Sequence, residues 1–171
     1  MKNLNLKEIT LITLLPILSL IIGFIFGEDL STGGSELDFN ETFPAVKDFA
    51  NNKVDEFYLH TRHFPFHYFL LSIPQRFFES ILITKIFYLS FSLLIPIFIY
   101  LTLNLLFPSN KINNLIISFT ILFVPYFRAS AIWANAHMTA IIFLIVSNYF
   151  FLLFQKKKDN FYIYLNLFFL S

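Results

Sequence analysis

Long stretches without a charged residue recur along this chain, and they constrain its fold more than any other feature. Two of them, Ile9 to Phe26 and Ile86 to Phe107, are close to the roughly 20 apolar residues that a helix needs to cross a bilayer. Within lipid, a lone segment satisfies its backbone hydrogen bonds by forming a helix. Hydrophobic residues make up 57% of the 171 positions and charged residues 13%, against about 25% charged in soluble domains. The sequence predicts an all-α, polytopic membrane protein.

The pattern predicts about four complete spans and the start of a fifth. The complete spans are expected at residues 9–26, 81–107, 112–127 and 137–154, and the fifth at 161–171. We interpret the first as a retained helix, because it exceeds the core of a signal peptide and no small-residue cleavage motif follows it. The last apolar run is too short to cross a bilayer. We therefore expect residues 1–171 to be a partial domain of a longer protein.

The segment 27–80 is expected to be a large loop that bears surface helices. Eight of the chain's 11 acidic residues lie in its first part, from Gly27 to His63. Within it, a helix with one apolar face is predicted by the three-four spacing of Phe39, Phe43, Val46, Phe49 and Ala50. The stretch from Phe64 to Phe78 is apolar but too short to cross, so we expect a helix that lies along the membrane surface.

The lysines predict the orientation of the chain. Lys2, Lys7, Lys111 and the run Lys156 to Lys158 all fall on one side of the expected spans. Because lysine and arginine are retained on the cytoplasmic side, we expect a cytoplasmic amino terminus in a bacterial inner membrane. The acidic loop and the turn near Arg128 would then lie outside the cytoplasm and meet on one surface.

Several function classes have no signal in the sequence. The net charge is only +1, whereas a nucleic-acid-binding domain typically carries a strong basic patch, so no nucleic-acid partner is expected. There are no cysteines, which excludes thiolate metal sites and disulfides. Glycine-rich nucleotide motifs are also missing from the sequence. No metal or other cofactor is predicted.

The first candidate site lies just beyond the first span, in the stretch from Gly33 to Asp38. A carboxylate there, either Asp38 or Glu36, could act as a general base at a water-accessible edge of the membrane. The two carboxylates could instead share a divalent cation. A structural interpretation also fits, because Ser35-x-x-Asp38 matches a capping box at a helix start.

The second candidate site is the stretch from Thr61 to Tyr68. His63 and His67 are four residues apart and would share a helix face if a helix begins at Pro65. Together with Arg62, the two imidazoles suit a lipid-linked phosphate, because arginine binds phosphate oxygens in a fork and histidine can supply a proton. The alternative is that these side chains only anchor a helix at the membrane surface.

The third candidate site is the turn from Tyr126 to His137, which contains Arg128. An arginine in so apolar a region is costly unless it is paired or hydrated, so it is a functional candidate. Alternatively, its side chain reaches the interface from a helix end, with Trp133 as an interfacial anchor.

Taken in order, these features resemble the amino-terminal part of the GT-C superfamily. The resemblance rests on the stretch Gly33 to Asp38, the segment His63-Phe-Pro-Phe-His-Tyr68 and the turn Tyr126-Phe-Arg128, separated by the expected spans. GT-C proteins are integral membrane glycosyltransferases that use polyprenyl-phosphate or dolichyl-phosphate sugars. They include protein O-mannosyltransferases and lipid A aminoarabinose transferases. The resemblance covers most of the chain.

The resemblance implies inverting transfer of a hexosyl or pentosyl group from a polyprenyl-phosphate donor to an unidentified acceptor on the outer face. A first-loop carboxylate would deprotonate the acceptor. We expect Asp38 in this role, with Glu36 and Asp29 as alternates, because the chain has Glu-Leu-Asp where many relatives have an adjacent Asp-Glu pair. The residues expected to bind the donor phosphate are Arg62, His63, His67 and Arg128. The membrane lipid is the other expected partner.

A second hypothesis is a non-enzymatic membrane protein, either part of a transporter or an assembly subunit. Its acidic loop would then be a partner surface. A transport route places ionisable residues inside spans, and the runs Ile86 to Phe107 and Leu115 to Phe127 have none. The sequence therefore favours the transferase.

Overall fold

The computed structural model describes residues 6–30, 32–53 and 65–170, and these ranges contain helices and turns but no strand. The all-α prediction is confirmed for this part of the chain. The helices are α1 (Leu6–Ile25), α2 (Gly34–Ala50), α3 (Pro65–Phe78), α4 (Ile81–Ser92), α5 (Leu94–Leu106), α6 (Lys111–Thr120), a 3₁₀ turn (Ile121–Phe123), α7 (Pro125–Ile132), α8 (Ala136–Lys157) and α9 (Asn160–Leu170).

Two helical stretches of the described residues are long and apolar enough to cross a membrane. They are Ile81–Leu106, formed by α4 and α5, and Ala136–Lys157, which is α8; their lengths are 26 and 22 residues. They coincide with the predicted second and fourth spans. A third span results only if α6 and α7 are counted together, and the described apolar part of α1 is shorter. The chain is a helical protein with two to three candidate membrane spans, and the expected count of four is not confirmed.

The predicted third span, 112–127, is not a straight helix. The axis bends by 66° between Lys111–Phe123 and Pro125–Ile132. Val124, at the break, is extended, with φ −70° and ψ 122°. The residue before a proline is driven out of the helical region, and Pro125 has no N–H to continue the ladder. Arg128 consequently lies within α7 and not in a turn after the span, which corrects the prediction.

The described chain divides into two compact units. The first unit comprises Met1–Phe26, Leu93–Val124 and Ala140–Ser171, and the second comprises Gly27–Ser92 and Pro125–Thr139.

Polar side chains join the helices within the first unit. Asn114 donates from Nδ2 to Asn104 Oδ1 and to the carbonyl of Phe107, both at 2.9 Å, across the turn between α5 and α6. Asn166 on α9 donates to Ser147 Oγ on α8 at 2.6 Å, and Ser147 Oγ donates back to the carbonyl of Asn166 at 3.1 Å. Because polar groups are costly to leave unpaired in an apolar setting, these bonds specify which helix faces meet.

The second unit is built on the packing of α2 against α3. The predicted apolar face of α2 is confirmed for Phe39, Phe43 and Val46, which are buried, whereas Phe49 and Ala50 at its end are half-buried. Arg76 on α3 closes the carboxyl end of α2 by donating to the carbonyls of Ala50 and Phe49. A cation at this position also complements the negative end of the helix dipole.

The opposite face of α3 is apolar and exposed. Phe66, Phe69, Ile73 and Phe77 recur at helical spacing along it, and all are exposed. An exposed apolar stripe of this kind is typical of a helix that lies in the membrane interface. The location of α3 at the membrane surface stays a prediction.

Candidate functional site

The second unit has a shallow depression formed by three segments of the chain. Its cavity volume is only about 20 Å³, roughly the room of one water molecule, and it is open to solvent on one side. Asp38 and Thr42 reach it from α2, Tyr68 from α3, and Asn135 and His137 from the turn into α8. The lining residues therefore include an exposed aspartate and an exposed histidine, whereas the hydroxyl oxygen of Tyr68 is buried. Such groups can bind a hydroxyl-bearing ligand and move a proton to or from it.

Asp38 lies on the exposed side of α2, at the rim of the depression. Its backbone carbonyl accepts a hydrogen bond of 2.6 Å from the hydroxyl of Thr42, one turn further along the helix. The carboxylate is thus carried by a regular helix and is accessible to solvent. This is the geometry that a base acting on an external acceptor requires.

Glu36 does not share the position of Asp38. Both residues lie within α2 and both are exposed. Residues two apart on a helix point in directions that differ by about 200°, so their carboxylates do not converge. The interpretation that these two carboxylates share a divalent cation is therefore wrong. The described residues also contain no group of three or more His, Cys, Asp or Glu that could hold a metal ion.

Asp29 caps the start of α2. Its Oδ2 accepts a hydrogen bond of 2.8 Å from the backbone N–H of Glu36. The capping-box interpretation is wrong, because the residue before the helix is Gly33, at φ 88°, and Ser35 lies inside the helix and is buried. Asp29, supplied from outside α2, satisfies a free N–H of its first turn. This role accounts for the carboxylate without any catalytic function.

His67 lies in the interior of the second unit. It belongs to α3, whose described residues start at Pro65, and it faces inward, where it is only 5% exposed. Its Nδ1 is 2.8 Å from Thr139 Oγ1, and its ring contacts those of Tyr68 and Tyr88 edge-on. The other two predicted phosphate ligands of this segment, Arg62 and His63, lie outside the described residues.

Arg128 is paired with a carboxylate that the sequence analysis did not select. Glu28, in the turn after α1, accepts from Arg128 Nε at 2.6 Å and forms a second bond to Nη2 of the same guanidinium. The backbone carbonyl of Glu28 also accepts from Trp133 Nε1 at 3.2 Å. The expected meeting of the acidic segment with the 126–137 turn is therefore observed, and it is centred on this pair.

The pair changes the ionisation of Glu28. Its pKa is lowered from the usual 4.5, first because Arg128 donates a hydrogen bond to the carboxylate and further because of the positive charge itself, against an opposing effect of burial. Glu28 is therefore ionised at neutral pH. The charge of Arg128 is already balanced within the protein.

Lys85 is a second cation that the sequence analysis did not select. Its Nζ lies 3.4 Å from the centroid of the Trp133 ring and 5.6 Å from that of Phe39. An ammonium over aromatic rings is stabilised by their negative faces. No local pattern indicates this contact, since Phe39 and Trp133 are both distant from Lys85 in the sequence.

Comparison of the chain with protein-family models, with curated proteins and with solved structures gave no match. Its function must therefore be inferred from its own residues.

Among those residues, Thr139 and Tyr88 were not predicted to belong to a site, and His137 was only the last residue of the third candidate turn, with no role assigned to it. Tyr88 and Thr139 lie inside apolar runs, and a polar residue in a span was the only available signal. His137 is the second residue of α8. It borders the same depression as Asp38 only because of the way α2 packs.

Proposed function

We propose that this chain is the amino-terminal part of a membrane glycosyltransferase of the GT-C type. It transfers a sugar from a polyprenyl-phosphate donor to an acceptor on the outer face of the membrane, and Asp38 is the general base. The observation that carries the proposal is the position of Asp38. Its carboxylate is exposed at the rim of a depression that also contains His137 and Tyr68, in a protein with candidate membrane spans.

The proposed topology has four spans, with α1 as the first and the bent pair of α6 and α7 as the third. The lysine distribution supports a cytoplasmic amino terminus and an outer location for residues 27–80 in a bacterial inner membrane. The acidic segment α2 would then face the outer compartment. A lipid-linked donor would reach the depression from the bilayer, and a soluble acceptor would reach it from water.

The donor phosphate is assigned mainly to Arg62 and His63. Glu28 already engages the guanidinium of Arg128 at two points, so a phosphate at Arg128 would have to compete with a carboxylate. His67 is buried and bonded to Thr139. This leaves Arg62 and His63 as the cationic candidates of the second motif, and preorganised positive charge at a leaving group is a general source of rate.

The proposal is tested by comparing Asp38→Asn with Glu41→Gln. Glu41 is an exposed carboxylate of the same helix that does not border the depression, so its substitution controls for the loss of one negative charge. The full gene product is expressed in membranes, supplied with a radiolabelled polyprenyl-phosphate sugar, and assayed for release of polyprenyl phosphate. Loss of a general base lowers the rate by about a hundredfold or more. We expect this loss for Asp38→Asn only.

Full transfer activity in Asp38→Asn would eliminate Asp38 as the base. Absence of transfer by the unsubstituted protein, together with solute flux in proteoliposomes, would favour the transport hypothesis instead.

A further inference from the structure

A chain of buried polar side chains crosses the interior of the second unit. It consists of His67 on α3, Tyr88 on α4 and Thr139 on α8, whose exposures are 5%, 0% and 4%. Polar groups in an apolar interior are costly unless every one is hydrogen-bonded, and a connected set of them usually has a specific role.

The donor of each hydrogen bond in this set can be assigned, and all the bonds then point in the same direction. Tyr88 Oη lies 2.7 Å from the carbonyl of Asn135, which can only accept, so the single phenol hydrogen points there. Thr139 Oγ1, 2.9 Å from Tyr88 Oη, must then donate to it. The hydroxyl of Thr139 has no second hydrogen, so His67 Nδ1, at 2.8 Å, must donate to Thr139.

The chain of bonds ends at the wall of the depression. Its last acceptor, Asn135, uses its side-chain Oδ1 to accept from the backbone N–H of His137 at 3.1 Å, which caps α8. Asn135 and His137 both border the depression. The buried hydrogen bonds therefore hold Asn135, the residue whose side chain accepts the bond from the His137 N–H.

We propose that His67, Thr139 and Tyr88 are positioning residues whose one-directional hydrogen-bond chain holds the Asn135–His137 wall of the depression and fixes His67 as the Nδ1–H tautomer. His67 then takes up any further proton at Nε2, not at Nδ1. This proposal does not depend on the chain being a glycosyltransferase, because it concerns only the described side chains.

The tautomer is measured by nitrogen NMR of the full protein in lipid nanodiscs, with ¹⁵N label in histidine alone. The chain has four histidines, so replacing each in turn by glutamine assigns the four rings. Nδ1 and Nε2 have distinct shifts when protonated and when not. We expect His67 to show a protonated Nδ1 and an unprotonated Nε2 at a pH where it is neutral.

Tyr88→Phe removes the acceptor of the Thr139 hydroxyl while keeping the ring. The freed hydroxyl can turn to donate to His67 Nδ1, so we expect a mixture of both tautomers. Amide exchange at His137 should accelerate about fivefold, the effect of losing one ordinary hydrogen bond. Tyr164→Phe, at an exposed tyrosine of α9, is the matched control and should change neither signal.

Two substitutions of Thr139 test whether its hydroxyl is needed for the tautomer of His67. Thr139→Ser retains the hydroxyl and should preserve the Nδ1–H tautomer, whereas Thr139→Val retains the shape and should lose it. An Nε2–H tautomer in the unsubstituted protein would overturn the proposal without any variant. So would an unchanged His67 spectrum in both Tyr88→Phe and Thr139→Val.

Discussion

Arg128 and Glu28, 100 residues apart in the chain, form a two-point ion pair that ties the turn after α1 to α7. The side chains of the pair are 9% and 21% exposed, respectively. Trp133 adds a third tie through its bond to the Glu28 carbonyl, and it packs against Gly27, at which an added Cβ would lie 3.9 Å from the indole. Three hydrogen bonds thus join these two distant segments of the second unit.

We expect removal of either partner of this pair to destabilise the second unit. Glu28→Gln leaves a largely buried guanidinium without its counter-charge, and we expect a loss of about 2 kcal/mol in the free energy of unfolding, between the values for exposed and buried pairs. Unfolding in detergent can be followed by fluorescence, because Trp133 is the only tryptophan. Arg128→Met should cost a similar amount.

The double variant Glu28→Gln with Arg128→Met measures the interaction energy between the two side chains, separately from the other effects of each substitution. If the two side chains interact as described, the double variant should be more stable than the sum of the single losses predicts. Additive losses would show that the two residues contribute independently, contrary to the observed geometry.

The same pair predicts a dependence of stability on pH. The pKa of Glu28 is depressed in the folded protein, because Arg128 bonds to the carboxylate. A depressed carboxyl pKa adds stability that is fully present above the unfolded value, here about 4.5, and is lost as the pH falls through the folded value. The stability difference between the unsubstituted protein and Glu28→Gln should therefore be constant at neutral pH and shrink below about pH 4.5.

The measurement is a series of unfolding curves of both proteins between about pH 7 and pH 3. Protonation of the other carboxylates changes the stability of the two proteins equally. The difference between their free energies of unfolding therefore reports on Glu28 alone. If the difference in free energy of unfolding became larger as the pH falls, the assigned ion pair would be contradicted.

How far the sequence predicts this structure depends on the range of the interactions involved. The buried part of the apolar face of α2 follows from local periodicity, and the helical stretch Ile81–Leu106 follows from hydropathy, which predicted a span at 81–107. The pairing of Arg128 with Glu28 depends on tertiary packing, and eight acidic residues of one segment were equally available as partners.

The bend at Val124 is a different case. The signal for it, a proline after an apolar run, was present in the sequence, but hydropathy alone joined the two halves into one span. The candidate site likewise combines a residue predicted from local sequence with residues brought together by packing. Asp38 was selected from a local motif, whereas His137 and Tyr68 join it only through the packing of α2 and α3 with the start of α8.

The exposed stripe of α3 predicts contact with the membrane interface. The chain has no cysteine, so a single introduced cysteine can carry an environment-sensitive fluorophore without background labelling. A fluorophore at Phe69→Cys should show the blue-shifted emission of an apolar environment in lipid nanodiscs, because this position belongs to the apolar stripe. Glu41→Cys, on the exposed side of α2, is the control and should emit as in water. Equal, water-like emission at both positions would exclude a surface location for α3.

The proposed orientation predicts which positions react from outside the cell. Asn40 is exposed on α2 and Lys111 is exposed at the start of α6. The lysine distribution puts Lys111 on the cytoplasmic side and the acidic segment on the outer side. In intact cells without an outer-membrane barrier, a membrane-impermeant maleimide should label Asn40→Cys and leave Lys111→Cys unmodified until the membrane is opened. The reverse pattern would invert the topology and place Asp38 in the cytoplasm. Labelling of both positions from outside would mean that an even number of spans separates them, so the α4–α5 helix would not cross the bilayer between Asn40 and Lys111.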